Sequence, residues 1–437
     1  MTNTHGVRAR DIFALALPAL GVLAANPLYL LLDTAVVGRL GTVELAALAA
    51  GTAVQSTVTT QLTFLSYGTT ARSSRLYGAG RRADAVAEGV QASWVAILVG
   101  LGLASIIWLF AEPIAFALTQ NAETSADAAQ WMHVAAVAIP LTLLIMAGNG
   151  WMRGVQNTRL PFVLTLCGLV PGAVLLPLLV DHFGLVGSAV ANVIGMGITA
   201  SLFVGALVKE HRGEGAVWRP QWNVIAHQLV LGRDLILRSA SFQISLLAAT
   251  AVAGRFGVFA LAAHQVLLQL WNFLSLVLDS LAIAAQTLTG AALGQGNVER
   301  ARGTGAAVTR YATVFAVVLA AVFLVFDGPI QSIFTHDPGM ADALAVPWRW
   351  LVAMIVVGGA VFALDGVLLG ASDAVFLRNL SIGAMLGGFL PLTLLSMWLG
   401  WGLAGVWAGY FVSVVLRLVG VLWRFRSMKW ARTGVEE

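Results

Sequence analysis

A carboxylate buried in an apolar run is the residue of this sequence best placed to do chemistry. Asp33 lies in the stretch Pro27-Leu28-Tyr29-Leu30-Leu31-Leu32-Asp33-Thr34-Ala35-Val36-Val37-Gly38-Arg39-Leu40-Gly41. The apolar run around it begins near Phe13 and is long enough to cross a bilayer. A charge at that depth costs roughly 2.5–3.5 kcal/mol, so it must face protein or water rather than lipid. Pro27 removes a backbone donor ahead of the acid and disturbs the helix there. The carbonyls so freed can serve a cation or water where they line a cavity. These features fit an ion-coupled site. The alternative is an aspartate tied off by Ser, Thr or Asn from a neighbouring helix.

Other polar groups within apolar runs are few. Asp279 is followed by Gln286 on the same helical face, and Asp365 lies in a later run. Each either lines a cavity or hydrogen-bonds between helices. Asn149, flanked by glycines that permit close helix packing, carries the same two readings. Gln55, Gln61 and the Ser/Thr-rich run 56–63 form a polar stripe. His264 and Gln265 sit near the start of an apolar run, where a lone histidine reads as a hydrogen-bonding group rather than a ligand.

Chemistry on covalent bonds has no support. The sequence has no Gly-x4-Gly-Lys-Ser/Thr phosphate loop and no His-Glu-x2-His pair. Cys167 is alone, which excludes an internal disulfide and a cysteine metal cluster. The expectation is a protein that is not an enzyme and needs no cofactor or metal. Any transport it performs must draw on an ion gradient or on the substrate's own gradient.

The elements that carry these residues follow from composition. The 437 residues are 59% hydrophobic and 11% charged, far from the roughly 25% charge of a soluble domain. Mean hydropathy is +0.85. The chain therefore reads as an all-α integral membrane protein. Twelve spans are expected, at 13–37, 46–70, 89–110, 131–152, 160–180, 185–208, 236–254, 262–288, 308–326, 349–370, 376–398 and 403–423. With the N-terminus in the cytoplasm, Arg39, Arg255 and Arg349 alone among the Lys and Arg residues are assigned to external connections. The positive-inside rule thus places both termini in the cytoplasm of a multi-pass plasma-membrane protein, an inner-membrane protein in a bacterium. The pI near 9.6 has this topological cause, and no nucleic-acid partner is expected.

The halves repeat. An offset of 216 places Gly38-Arg39-Leu40-Gly41 on Gly254-Arg255-Phe256-Gly257, Gly78-Ala79-Gly80 on Gly294-Gln295-Gly296, Pro113 on Pro329, and Gly150 and Gly154 on Gly366 and Gly370. It pairs Asp33 with Ala249 and Asp365 with Asn149, so the halves are alike in backbone and unlike in charge. The last two spans need about two extra residues in the second half, where Gly184 and Gly187 pair with Gly402 and Gly405. Six spans per half give a repeat axis along the membrane normal and a central cavity between two six-helix pseudo-symmetric lobes. The lobes are expected at 1–208 and 236–425, joined by a cytoplasmic linker at 209–235 and followed by a tail at 426–437.

These residues resemble the multidrug and toxic compound extrusion (MATE) transporters, and most closely the branch named for DNA-damage-inducible protein F (DinF). The likeness runs over about residues 10–425. It is carried by Leu32–Gly41, Arg153-Gly154-Val155-Gln156-Asn157-Thr158-Arg159, Ala262-Ala263-His264-Gln265, Leu278–Gln286, and Asp365–Gly370 with Arg378-Asn379. The resemblance implies export of organic, often cationic or amphipathic, compounds in exchange for protons or sodium. It also implies that Asp33 is the first-helix acid that binds the coupling cation.

One departure bears on that ion. Many relatives carry Asn-x3-Asp in the fifth helix, where this chain has Gly172 and Leu176. The sixth-helix threonine is replaced by Asn192. Asp181, at the external end of the fifth helix, lies too far out to substitute. A sodium site needs several oxygen ligands, so proton coupling is expected over sodium. Asp33, Asn149 and Asn192 then form the candidate coupling set. Asp279, Asp365, Gln286, Gln55, Gln61 and Gln265 are the candidate cavity residues. Partners are a small organic substrate, H+ (or Na+) and the lipid bilayer, with oligomeric state left open and a monomer expected. The alternatives are a flippase for lipid-linked substrates, disfavoured here because the intramembrane charges read as acidic, and a non-transporting membrane sensor on the same scaffold.

Overall fold

In lipid every backbone polar group must be satisfied within the protein, so an apolar chain of this length can cross only as helices or as a closed barrel. The computed structural model describes residues 8–214 and 218–433, and its regular elements are all helical. Residues 215–217 of the expected linker and 434–437 of the expected tail lie outside the described residues. The chain divides into two compact units, one formed by Leu17–Gly232 and the other by residues up to Ala16 together with Arg233 onward.

The first unit contains most of α1 (Ala9–Val37), then α2 (Thr42–Gln61), α3 (Phe64–Gly78), α4 (Arg82–Leu109), α5 (Ala111–Thr119), α6 (Ala122–Ala135), α7 (Ala138–Gly154), α8 (Arg159–Phe183), α9 (Leu185–Glu214) and the start of α10 (Trp222–Arg255). Here α7 packs on α3 and α4, and α8 packs along α9. The second unit contains the rest of α10, then α11 (Val258–Gly294), α12 (Val298–Val325), α13 (Asp327–Phe334), α14 (Pro338–Gly370), α15 (Ala374–Ala384), a π-helical turn at Met385–Phe389, α16 (Leu390–Leu399) and α17 (Gly402–Arg426). Here α14 is central, packed against α11, α12 and α17.

Among the described residues ten helices, with α15 through α16 taken as one, are long and apolar enough to span a membrane, and α6 with α7, bent by 44°, makes an eleventh. The twelfth expected span, 46–70, falls on α2 and α3. Its polar stripe keeps it below that apolarity, and the helix breaks at Leu62-Thr63. The fold is an all-α membrane fold. α1 runs unbroken through Pro18 and Pro27, so the disturbance expected at Pro27 amounts to a missing donor and not a helix end.

The stretch expected to be the cytoplasmic linker, 209–235, is largely helical where it is described. α9 continues to Glu214, and α10 begins at Trp222. Side chains of α4 hold the connection. The Gln91 amide donates to the Arg219 carbonyl at 3.0 Å and accepts from the Gln221 N–H at 2.7 Å. Trp94 donates to the Trp218 carbonyl at 3.0 Å, and Gln228 donates to Glu88 at 3.0 Å.

The repeat seen in the sequence recurs in the helix ends. α3 and α11 close with the same double hydrogen-bonded cap: Arg81 N–H to Leu76 and Gly80 N–H to Tyr77, matched by Asn297 to Ala292 and Gly296 to Leu293. The turning residues Gly80 and Gly296 have φ of 76° and 73°. α7 and α14 close in the same way through Gln156 and Ser372, which adopt φ of 62° and 59° without being glycine. The register of 216 holds through the ends of α8 and α16 at Phe183 and Leu399. The extra residues therefore fall in the turn before α17, and the eleventh span does not need them as the sequence led us to expect.

The acid on α1 and the charged cluster within the second unit

Asp33 is 2% exposed, and its Oδ1 has no hydrogen-bond partner. One turn earlier on α1, the Tyr29 hydroxyl is also buried without a partner. Tyr29 can lie there because α8 has glycine opposite: a Cβ on Gly172 would sit 3.7 Å from the tyrosine ring and 3.4 Å from the Ala191 carbonyl of α9. Ser188 of α9, fully buried, is the hydroxyl within reach of the Asp33 carboxylate. Its oxygen accepts the indole N–H of Trp131 at 3.2 Å. Indole only donates, so the serine hydrogen is left free to turn to the carboxylate. Tyr29, Ser188 and Trp131 were not singled out in the sequence. The spacing Tyr29-x3-Asp33 was the available signal for the first of them.

The other members of the candidate coupling set are placed separately. Asn192 is half-buried on α9, one turn beyond Ser188 and on the same face. Asn149 is buried on α7, with its Oδ1 unpartnered. Among the described residues neither asparagine hydrogen-bonds to Asp33. Leu176 is fully buried and, like Gly172, presents no side-chain oxygen, while Asp181 is exposed at the end of α8.

The hydroxyls of the polar stripe on α2 turn back on their own helix. Thr52, Thr57 and Thr59 donate to the Leu48, Ala53 and Gln55 carbonyls at 2.8, 2.8 and 2.6 Å. Gln55 is half-buried, and the Oε1 of Gln61 is buried without a partner. Thr34, Thr52 and Ser56, with Leu30 and Leu48, line a cavity of about 280 Å³ between α1 and α2. In the second unit Asp279 is half-buried, Gln286 is buried with its backbone against Gly370, and Gln265 is exposed. His264 is buried and hydrogen-bonded on both ring nitrogens.

Asp365 corrects the sequence reading of the intramembrane charge as acidic. Its Oδ2 is bound by two guanidiniums, Arg238 of α10 and Arg417 of α17, the latter at 2.5 Å. Arg238 also donates to Ser381 at 3.1 Å, and Arg417 lies over the Phe242 ring, 5.0 Å from its centre. Both arginines are well inside long helices, and in the sequence they were counted with the cytoplasmic Lys and Arg although the expected spans 236–254 and 403–423 contain them. Next along α10, Asp234 takes Arg378 at 2.7 Å, and Asp373 takes Arg424 at 2.6 Å.

Comparison with known proteins agrees with this architecture. Residues 18–178 and 235–393 match the MatE family. The chain is 30% identical to DNA damage-inducible protein F of Escherichia coli, over 96% of this chain and 94% of that one. It is 29% identical to protein DETOXIFICATION 44, chloroplastic, of Arabidopsis thaliana, over 97% of this chain and 82% of that one. A crystal structure of MATE in the bent conformation superposes with a TM-score of 0.89 at 21% identity, each chain covered to 96%. With the family matched across both repeats and a relative aligned end to end, the chain belongs to the MatE family, the multidrug and toxic compound extrusion transporters.

Proposed function

We propose that this protein is a secondary active exporter that exchanges protons for small organic compounds, cationic or amphipathic, by alternating access of its two repeats. Asp33 is the proton carrier in this reading. The observation that carries it is the carboxylate itself, buried on a proline-containing helix with one oxygen unpartnered and a serine hydroxyl free to serve it. A carboxylate held this way can gain and lose a proton without breaking an ion pair. Uptake of the proton removes the cost of a buried charge and allows α1 to change its packing, which couples titration to access. The oxygen set supports proton over sodium, because α8 offers Gly172 and Leu176 where a sodium cage needs ligands. In the same reading both termini are cytoplasmic, and Asn149, Asn192, Asp279, Gln286, Gln55, Gln61 and Gln265 contribute to the ion and substrate paths.

The test is flux of ethidium in proteoliposomes under an imposed pH gradient or an imposed sodium gradient. Flux driven by pH alone, and lost in Asp33→Asn, is expected. Sodium-driven flux would overturn proton coupling, and full pH-driven flux in Asp33→Asn would overturn the role of Asp33. A flippase for lipid-linked substrates is the second reading. Arg238 and Arg417 favour it to this extent: they remove the acidic polarity that counted against it.

A further inference from the structure

The Arg238–Asp365–Arg417 cluster holds more positive charge than its acid balances. Asp365 is the one carboxylate that the two guanidiniums are shown to share. Both guanidiniums bind the same carboxylate oxygen, while Oδ1 is buried without a partner. Arg417, 6% exposed, places one N–H on Asp365 and turns its face to Phe242. Arg417 so keeps its other N–H donors for an oxyanion, while Arg238, with Nε on Ser381 and Nη2 on Asp365, keeps those of Nη1.

One arginine is enough to neutralise Asp365. A second desolvated guanidinium adds a cost of several kcal/mol unless it is compensated. The scaffold itself does not require the cluster, because the repeat places Val22 and Asn149 where the second unit has Arg238 and Asp365.

We infer that Arg238 and Arg417, clamped together by Asp365, form an anion-receiving site for the carboxylate or phosphate group of a small amphipathic molecule. The Phe242 ring, over which Arg417 lies, is the apolar surface beside it. The inference deepens the export reading by adding zwitterionic and anionic compounds to the cargo, and only in that respect does it rest on it.

The test is equilibrium binding to the purified full-length protein in detergent. Dansylglycine, one carboxylate on an apolar fluorophore, is compared with dansylamide, which lacks the carboxylate. The wild type is expected to bind dansylglycine about tenfold or more tightly than dansylamide, the scale of a charge-paired contact. Arg417→Gln and Arg238→Gln should each lose that preference. Arg417→Lys, which keeps the charge but not the fork, should retain part of it and so separates anion binding from misfolding. Displacement of dansylglycine by inorganic phosphate would assign the site to free oxyanions, and resistance to phosphate would assign it to anions carried on an apolar body. Equal binding of the two dyes by the wild type, or a preference that survives both glutamine variants, would overturn the inference. Ethidium flux measured on the same preparations reports the export reading separately, and its loss with the dye preference intact would sink that reading alone.

Discussion

Trp407 donates its indole N–H to Nδ1 of His264 at 3.1 Å, and that bond fixes the protonation of the imidazole. Indole has no acceptor, so Nδ1 must accept and the ring proton sits on Nε2. Nε2 lies 3.2 Å from the Thr250 hydroxyl, which passes its own hydrogen to the Leu246 carbonyl at 3.0 Å. The chain of donors closes with every group used, and His264 is a neutral structural link between α10, α11 and α17. His264→Ala leaves a buried indole N–H unpaired, at about 1–3 kcal/mol. Thermal unfolding in detergent should register this loss, while ethidium flux per folded molecule stays near the wild-type value.

Asp33→Asn should behave in the opposite way. One carboxylate oxygen has no partner to lose, so a neutral isostere leaves the melting temperature nearly unchanged and abolishes pH-driven flux. Ser188→Ala, which removes a hydroxyl within reach of Asp33, should lower flux several-fold in the same assay. Asp33→Asn that melts far below the wild type would mean that the acid is structural.

The two-to-one cluster makes an ordering prediction. Asp365→Ala leaves the buried Arg417 guanidinium and the half-buried Arg238 without their carboxylate and should cost about 3–5 kcal/mol, the scale for orphaning a buried charge. Arg417→Gln leaves a one-to-one pair of Arg238 with Asp365 and should cost clearly less. Denaturation of the two variants side by side checks the order, and a reversal would show that Arg417 is the structural partner.

Close helix packing rests on paired glycines. A Cβ on Gly150 would meet the Ser66 carbonyl at 2.8 Å, and one on Gly366 would meet the backbone of Ala282, the same position one repeat later. Gly150→Ala and Gly366→Ala should each destabilise by about 1–3 kcal/mol, as overpacked sites do. Gly102→Ala, with nothing within 4 Å, is the control expected to be neutral or slightly stabilising in the same thermal assay.

Gln156 and Ser372 hold left-handed backbone with a side chain present. Gln156→Gly and Ser372→Gly remove that conflict and should raise stability by up to about 1 kcal/mol each, the relief offset in part by the entropy of glycine. A rise in melting temperature for both would confirm that the caps are equivalent.

The sequence by itself determined the helical membrane class, nearly all of the spans, and the repeat. These depend on hydropathy over long windows and on glycine spacing, both of which are local to the chain. It also singled out Asp33 and His264, because a polar residue in an apolar run is conspicuous whatever surrounds it. It could not give the linker's helicity, which depends on Gln91, Trp94 and Glu88 reaching across from α4. Nor could it separate the hydroxyls of α2 that close on their own helix from ones that face a partner. The largest revision concerns charge. Arg238 and Arg417 sit near helix ends in a hydropathy profile, and only packing shows that α10 and α17 carry them to the Asp365 of α14. Whether a buried carboxylate is a free proton carrier or a clamp for two arginines depends on what the neighbouring helices present to it, and those neighbours are distant in the chain.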